Sequence, residues 1–297
     1  YHGGQPEDQC ASFRTAIVEL LYNMGVGVKY HHHEVGGPGQ MEIETDFGTP
    51  VEMADKTMLI KYVIKNYAKQ QGKTATFMPK PMFGAPGSGL HVHFKWFKGK
   101  KPVFSDPKGY SGMSQTAIYF MSGILAHARA ISAFCNPCTN SYKRLVPGYE
   151  APVSVVLANS NRSAAIRIPG YVKDPLDKRF EYRAGDASAN PYLMFAAMIM
   201  AGLDGVKRKI DPKKNNFGPF DVNLFELPPA EQKKIGHLPK NLMEALEALS
   251  QDHQFLLDGG VFTRELIEGW IKRKTDQELM PVMLRPHPYE YQLSFGC

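Results

Sequence analysis

Apolar residues recur at helical spacing from Ser12, at Phe13, Ile17, Leu20, Leu21 and Met24, and Gly25 stands where a helix C-cap belongs. The spacing predicts a helix that ends there. The pattern then alternates through Val26, Val28, Tyr30, His32 and Glu34, as in a strand with a polar tip. Gly36, Gly37, Pro38 and Gly39 form a turn-rich loop, after which Met41, Ile43, Thr45 and Phe47 alternate with Glu42, Glu44 and Asp46. A hairpin is expected. A helical run from Met53 to Gln71, closed by Gly72, leads to a short expected strand at Thr74–Met78. Next comes a strand with Leu90, Val92, Phe94 and Trp96 on one face and His91, His93 and Lys95 on the other.

Met113–Phe134 reads as one long helix, and Val153–Ala158 and Ala164–Ile168 as strands. In Arg179–Arg183, alternation points Arg179, Glu181 and Arg183 one way and Phe180 and Tyr182 the other. Asn190 is a suitable N-cap with Pro191 at the first helical position, and Lys207, Arg208 and Lys209 suit the far end of that helix's dipole. The last third is mainly helical, around Pro239–Leu249 and Thr263–Lys274. With no internal repeat and no separating linker, residues 1–297 predict one α+β domain, an antiparallel sheet surrounded by helices.

Composition narrows the classes. Hydrophobic residues make up 43% and charged residues 22%, which is ordinary globular usage and excludes a disordered chain. The longest nearly uncharged stretch, Pro191–Leu203, falls short of a bilayer span, which argues against a membrane protein. The 35 Lys and Arg exceed the 29 Asp and Glu, for a formal charge of +6, but the basic residues are dispersed and no nucleic-acid motif is present. Anionic small molecules fit better than nucleic acid. Of four cysteines, only Cys135 and Cys138 form a Cys-x-x-Cys, without the second pair of a zinc site. Reduced thiols and a cytoplasmic location are expected.

Candidate chemistry gathers on polar strand faces. Glu34 and Glu42 flank the glycine-rich loop, and two carboxylates so placed call for a cation. His91, with Glu181 between two arginines, completes an oxygen-rich donor set with one imidazole, suited to Mg²⁺ or Mn²⁺. His31, His32 and His33 read as strand residues of mixed structural role. Asn140–Val153 is rich in turn formers, holds Arg144 and Glu150, and reads as a functional loop. Arg162, Arg167, Arg179 and Arg183 crowd the stretch 162–183, where planar guanidinium groups can grip phosphates and carboxylates.

In order along the chain stand His32–Glu42 (HHEVGGPGQME), Lys73–Gly84, Gly87–His93 (GSGLHVH), Asn140–Val153, Asn161–Ser163, Glu181–Arg183, Asn190–Tyr192, Met200–Gly205 and Pro286–Pro288. Together they resemble the catalytic domain of type I glutamine synthetase over almost the whole chain. The resemblance implies ATP-dependent ligation of ammonia to the γ-carboxylate of glutamate through γ-glutamyl phosphate, with two divalent cations, Mg²⁺ or Mn²⁺, per site. By motif, it makes Glu34 and Glu42 ligands of one metal and His91 and Glu181 ligands of the other. It places His93, Arg167 and Arg179 at ATP, and Gly87, Arg144 and Arg183 at glutamate. Arg162 would stabilise the transferring phosphoryl group, and Glu150 would take a proton from ammonium while closing the site against water. A homo-oligomer, ring-shaped and dodecameric in full-length members, is also implied.

The chain departs from the family pattern at Pro86 in place of Asn, Lys95 in place of Ser and Lys29 in place of Glu. Phe225 stands where adenylylated bacterial enzymes have tyrosine, so no adenylylation is expected there. The family's N-terminal β-grasp domain and its Glu-x-Glu metal strand would precede Tyr1. Low or no activity of this chain alone is therefore expected. Two alternatives share the scaffold: a γ-glutamyl ligase for a polyamine or other amine, and a non-catalytic assembly relative.

Overall fold

A computed structural model describes residues 1–37, 39–146, 152–161, 163–221 and 228–297. The first unit is a helix α1 (Ala11–Asn23), strands β1 (Val28–His33) and β2 (Met41–Thr45), and a helix α2 (Pro50–Gln70). β1 and β2 form the expected antiparallel hairpin, with His32 opposite Glu42 and Tyr30 opposite Glu44. α2 starts earlier than its apolar pattern does, because Pro50 fits the first turn and the Glu52 carboxylate accepts from the Thr49 backbone N–H at 3.4 Å. Ile17, Leu21, Val26 and Val63 form the small core of this unit, covered by Val28 and Ile43 of the hairpin.

Three short strands follow, β3 (Val92–Phe94), β4 (Phe97–Lys98) and β5 (Lys101–Pro102), and then helices α3 (Gln115–Ala126), α4 (Ala128–Cys135) and α5 (Ser141–Arg144). Strands β6 (Ser154–Asn159), β7 (Ala164–Ile168) and β8 (Phe180–Tyr182) precede a long helix α6 (Pro191–Arg208). The remainder comprises α7 (Pro229–Gln232), α8 (Leu242–Gln251), α9 (Gln254–Leu257), α10 (Arg264–Lys274), α11 (Met280–Met283) and α12 (Pro288–Ser294). β3, β8, β7 and β6 make one sheet in that spatial order, while β4 and β5 pair only with each other.

Three expectations need correction. The sheet is mixed, because β6 and β7 run parallel while β3/β8 and β7/β8 are antiparallel; the α+β class stands. Thr74–Met78 forms no strand: Thr76 Oγ1 accepts from the Met78 N–H, and Pro79 and Pro81 that follow have no N–H to donate. Met113–Phe134 is not one helix, since α3 and α4 meet at His127 with a bend of 74°. The reason is tertiary. His127 turns its ring to Asp204 and Asp252, which bond its two nitrogens at 2.9 and 2.7 Å.

The main core lies between the four-stranded sheet and α3, α4, α6 and α8. α6 begins as its sequence dictates, with Asn190 accepting from the backbone of Tyr192 and Leu193. α3 and α6 meet at Gly123 and Gly205: a Cβ on Gly123 would lie 2.2 Å from the Ala201 carbonyl oxygen, and one on Gly205 2.2 Å from that of Tyr119. Only hydrogens fit there. Among the described residues no single helix is long and apolar enough to cross a membrane, and α3 with α4 is buried in this core.

Candidate active site

The hairpin builds the first half of the site. Alternation puts Tyr30, His32 and Glu34 on one face of the outgoing chain, and the register sets Glu42 against His32 and Glu44 against Tyr30. One donor atom each from His32, Glu34 and Glu42 comes within 4.8 Å of the others. His32 Nδ1 donates to the His33 carbonyl at 3.0 Å, which leaves Nε2 unprotonated in the neutral ring and 3.8 Å from Glu42. Glu34 Oε2 is buried with no hydrogen-bond partner. Burial raises the pKa of Glu42, and the charges of Glu34, Glu181 and Glu44 push it the same way against the opposing pull of His32. A cation between these groups would relieve both conditions.

The sheet builds the second half. Its registers put His93 opposite Glu181 and Glu181 opposite Arg167, so imidazole, carboxylate and guanidinium form a row across β3, β8 and β7. Glu181 is only 2% exposed, and its carboxylate accepts from Arg183 at 2.7 Å, pairs with Arg167 at 2.6 Å, and lies 3.1 Å from His91 Nδ1. The sequence neighbours Arg179 and Arg183 suggested its cationic flanks; the structure replaces Arg179 by Arg167. Burial raises the Glu181 pKa, but His91 and then Arg183 and Arg167 outweigh it and hold the group far below the usual carboxylate range. Burial lowers His91 to about 4, so its ring is neutral at ordinary pH. His93 is also lowered by burial, and its Nδ1 has no hydrogen-bond partner.

Arg144 holds the backbone that follows β8. Its guanidinium donates to the carbonyls of Arg183, Ala184 and Gly185 at 2.8 to 3.1 Å, and burial lowers its pKa to about 10. Two glycines make room for it. A Cβ on Gly87 would sit 2.7 Å from Arg144 Cγ, and one on Gly89 2.6 Å from Arg144 Nη2 and 2.8 Å from His91 Nε2.

Glu34, Glu42, Gly87, His91, His93, Arg144, Arg167, Glu181 and Arg183 all line one cavity of about 1800 Å³, together with Pro86 and Lys95. Arg179 stands behind its wall, with its guanidinium 5.9 and 5.8 Å from the ring centres of Phe47 and Tyr171, which do line it. Lys95 pairs with Asp177 and covers Phe47, while Lys29 pairs with Glu44. Glu150, Arg162 and Phe225 lie outside the described residues.

Sequence reasoning missed His32, Gln40 and Gly89 as members of this site. The alternation that placed Glu34 on a strand face put His32 on the same face, and the hairpin register then faces it to Glu42. No comparable local pattern marks Gly89, whose importance comes from the packing of Arg144 and His91.

The family model for the catalytic domain of glutamine synthetase matches residues 1–294. The glutamine synthetase of Mycolicibacterium smegmatis is 49% identical over 290 residues, 98% of this chain and 60% of that protein. That of Streptomyces filamentosus is 50% identical over 295 residues, 99% of this chain and 62% of its own length. The chain thus spans about three fifths of these relatives. Among solved structures, the cryo-EM structure of Plasmodium falciparum glutamine synthetase superposes with a TM-score of 0.87 at 31% identity, covering 99% of this chain and 63% of that one. A ligand-free structure of GmaS superposes at 0.84 with 30% identity, covering 100% and 65%.

Proposed function

This chain belongs to the glutamine synthetase catalytic-domain family, and from that premise we propose that residues 1–297 are a catalytic domain for ATP-dependent ligation of ammonia to glutamate. One observation carries the reading: a single cavity gathers the His32, Glu34 and Glu42 donors, the His91–Glu181 pair and the guanidinium groups of Arg144, Arg167 and Arg183. Such a pocket suits anions brought together with cations.

In this reading Glu34 and Glu42, joined by His32, hold one Mg²⁺ or Mn²⁺. The fit rests on the buried, unpartnered Glu34 oxygen and the mutual repulsion at Glu42. His91 and Glu181 offer a second, weaker seat, because the Glu181 carboxylate already holds Arg167 and Arg183. Bound divalent cations supply charge neutralisation for the phosphates of ATP and the transferring group. Arg144 and Arg183 grip the carboxylates of glutamate, and Gly87 lets the backbone approach it. His93 and Arg167 serve the nucleotide directly, and Arg179 acts from behind Phe47 and Tyr171, which line the cavity. Glu150 takes the proton that ammonium must lose before it attacks γ-glutamyl phosphate, and Arg162 steadies the phosphoryl group; both roles rest on motif.

Free cysteines support a cytoplasmic location, and exposed apolar side chains support a homo-oligomer. The test is phosphate release from ATP with Mn²⁺, glutamate and ammonia, measured by a coupled assay. Release that is low in this chain alone, needs all four and falls at least about tenfold further in Glu42→Gln is expected. Release indifferent to glutamate, or unchanged by that substitution, would sink the assignment.

A further inference from the structure

The two halves of the cavity come from segments far apart in sequence, and the Gln40 side chain reaches from one to the other. Gln40 lies in the hairpin between Glu34 and Glu42, and its backbone carbonyl closes the hairpin by accepting from the Glu34 N–H at 2.9 Å. Its side-chain oxygen accepts from the Gly36 N–H at 2.6 Å. Its side-chain amide donates outward, to the Gly87 carbonyl and the Ser88 hydroxyl oxygen, each at 3.1 Å. The Gln40 side chain packs where a side chain at position 36 would begin: a Cβ on Gly36 would lie 2.2 Å from Gln40 Oε1 and 3.4 Å from the Pro86 carbonyl oxygen.

The receiving loop is anchored on its other side. The Ser88 N–H donates to the Pro79 carbonyl at 2.8 Å, and Asn140 beside α5 exchanges two hydrogen bonds with the Lys80 backbone, at 2.8 and 3.0 Å. Gly87 and Gly89 of this loop abut Arg144, and Gly89 also abuts His91. Pro86 has no side-chain donor or acceptor to offer the hairpin. The Gln40 amide therefore meets a loop that packs directly on Arg144 and His91.

We propose that Gln40 is a positioning residue that couples the Glu34–Glu42 cation seat to the loop 84–89, so that filling the seat fixes Arg144 and His91. This deepens the reading of the cavity given above and rests on it for the identity of the cation. The coupling runs through two hydrogen bonds, and the one to the Gly87 carbonyl, which can only accept, has a polarity that can be reversed. Gln40→Glu keeps an oxygen for Gly36 but replaces the donor to Gly87 with an acceptor. Gln40→Leu removes both interactions.

Hydrogen–deuterium exchange on the whole chain, with and without Mn²⁺, tests the coupling. In the parent protein Mn²⁺ slows exchange both at residues 34–37 and at 84–89. In Gln40→Glu it still slows 34–37, whereas 84–89 exchanges about tenfold faster and no longer responds to the metal. Gln40→Leu speeds both segments, while an unchanged melting transition shows that the fold is kept. A metal response at 84–89 that survives Gln40→Glu overturns the proposal, as does a parent protein in which only 34–37 responds. If Mn²⁺ slows neither segment in the parent, the cation reading fails, and metal-free exchange decides for Gln40: faster 84–89 in Gln40→Glu upholds the tie, and unchanged rates remove it.

Discussion

Glu181 holds three basic neighbours with one carboxylate, and nothing else in the row across β3, β8 and β7 carries negative charge. Replacing it with glutamine would leave Arg167 and Arg183 facing each other with no counter-charge. A loss of about 3 kcal/mol or more in urea unfolding at neutral pH is expected, since breaking a buried ion pair strands its partners. The pH dependence has a definite sign. Because the folded pKa is depressed, its stabilisation is present above the unfolded carboxyl value and is lost as pH falls towards the folded one. The melting temperature of the parent should therefore drop more steeply from pH 5 to pH 3 than that of Glu181→Gln. Parallel curves would refute the linkage. The sequence made Glu181 visible through alternation, but not its partner Arg167, because pairing across strands depends on register, which residue spacing does not encode.

At the scale of elements, local signals were legible where the cause was local. α6 shows this: Asn190 and Pro191 at its start and Lys207 and Arg208 at its end all act within one turn. The hairpin of β1 and β2 was readable for the same reason. The break between α3 and α4 was not, because apolar residues continue through it and its cause, His127, finds its partners on α6 and at the end of α8. Nor does periodicity show that β6 and β7 run parallel, since both are buried on each face.

His127 also gives this scale its prediction. Both ring nitrogens face carboxylate oxygens, a geometry that only the doubly protonated ring can satisfy as donor. Burial lowers its pKa, yet Asp252 and Asp204 outweigh burial and leave it raised. Its contribution is thus complete below the ordinary histidine value near 6.5 and fades as pH rises through the folded one. His127→Gln should cost about 1–3 kcal/mol at pH 6 and clearly less at pH 9, by urea unfolding at both. An equal loss at both would show that the ring acts through packing on Phe255 alone.

At the scale of the whole molecule, the +6 charge that argued for anionic ligands is used in part inside the cavity, where Arg144, Arg167 and Arg183 converge. The surface carries a different message. Phe83 is wholly exposed, and so, in large part, are Leu284, Leu293 and Phe295 near the C-terminus. Side chains of this kind in solvent favour association. Sedimentation velocity should show a concentration-dependent species larger than the monomer, and Leu284→Ser with Leu293→Ser and Phe295→Ser should shift it towards the monomer. A monomer at all concentrations would contradict this.

The contact of Gly123 with Gly205 has a practical consequence for anyone recombining this domain with its relatives. Since neither glycine tolerates a Cβ while the other helix stays in place, a transplanted α6 that lacks glycine at the position of Gly205 must bring its own α3. The natural unit of exchange is thus the crossed pair, and a chimera that splits it inherits two backbones shaped for different neighbours.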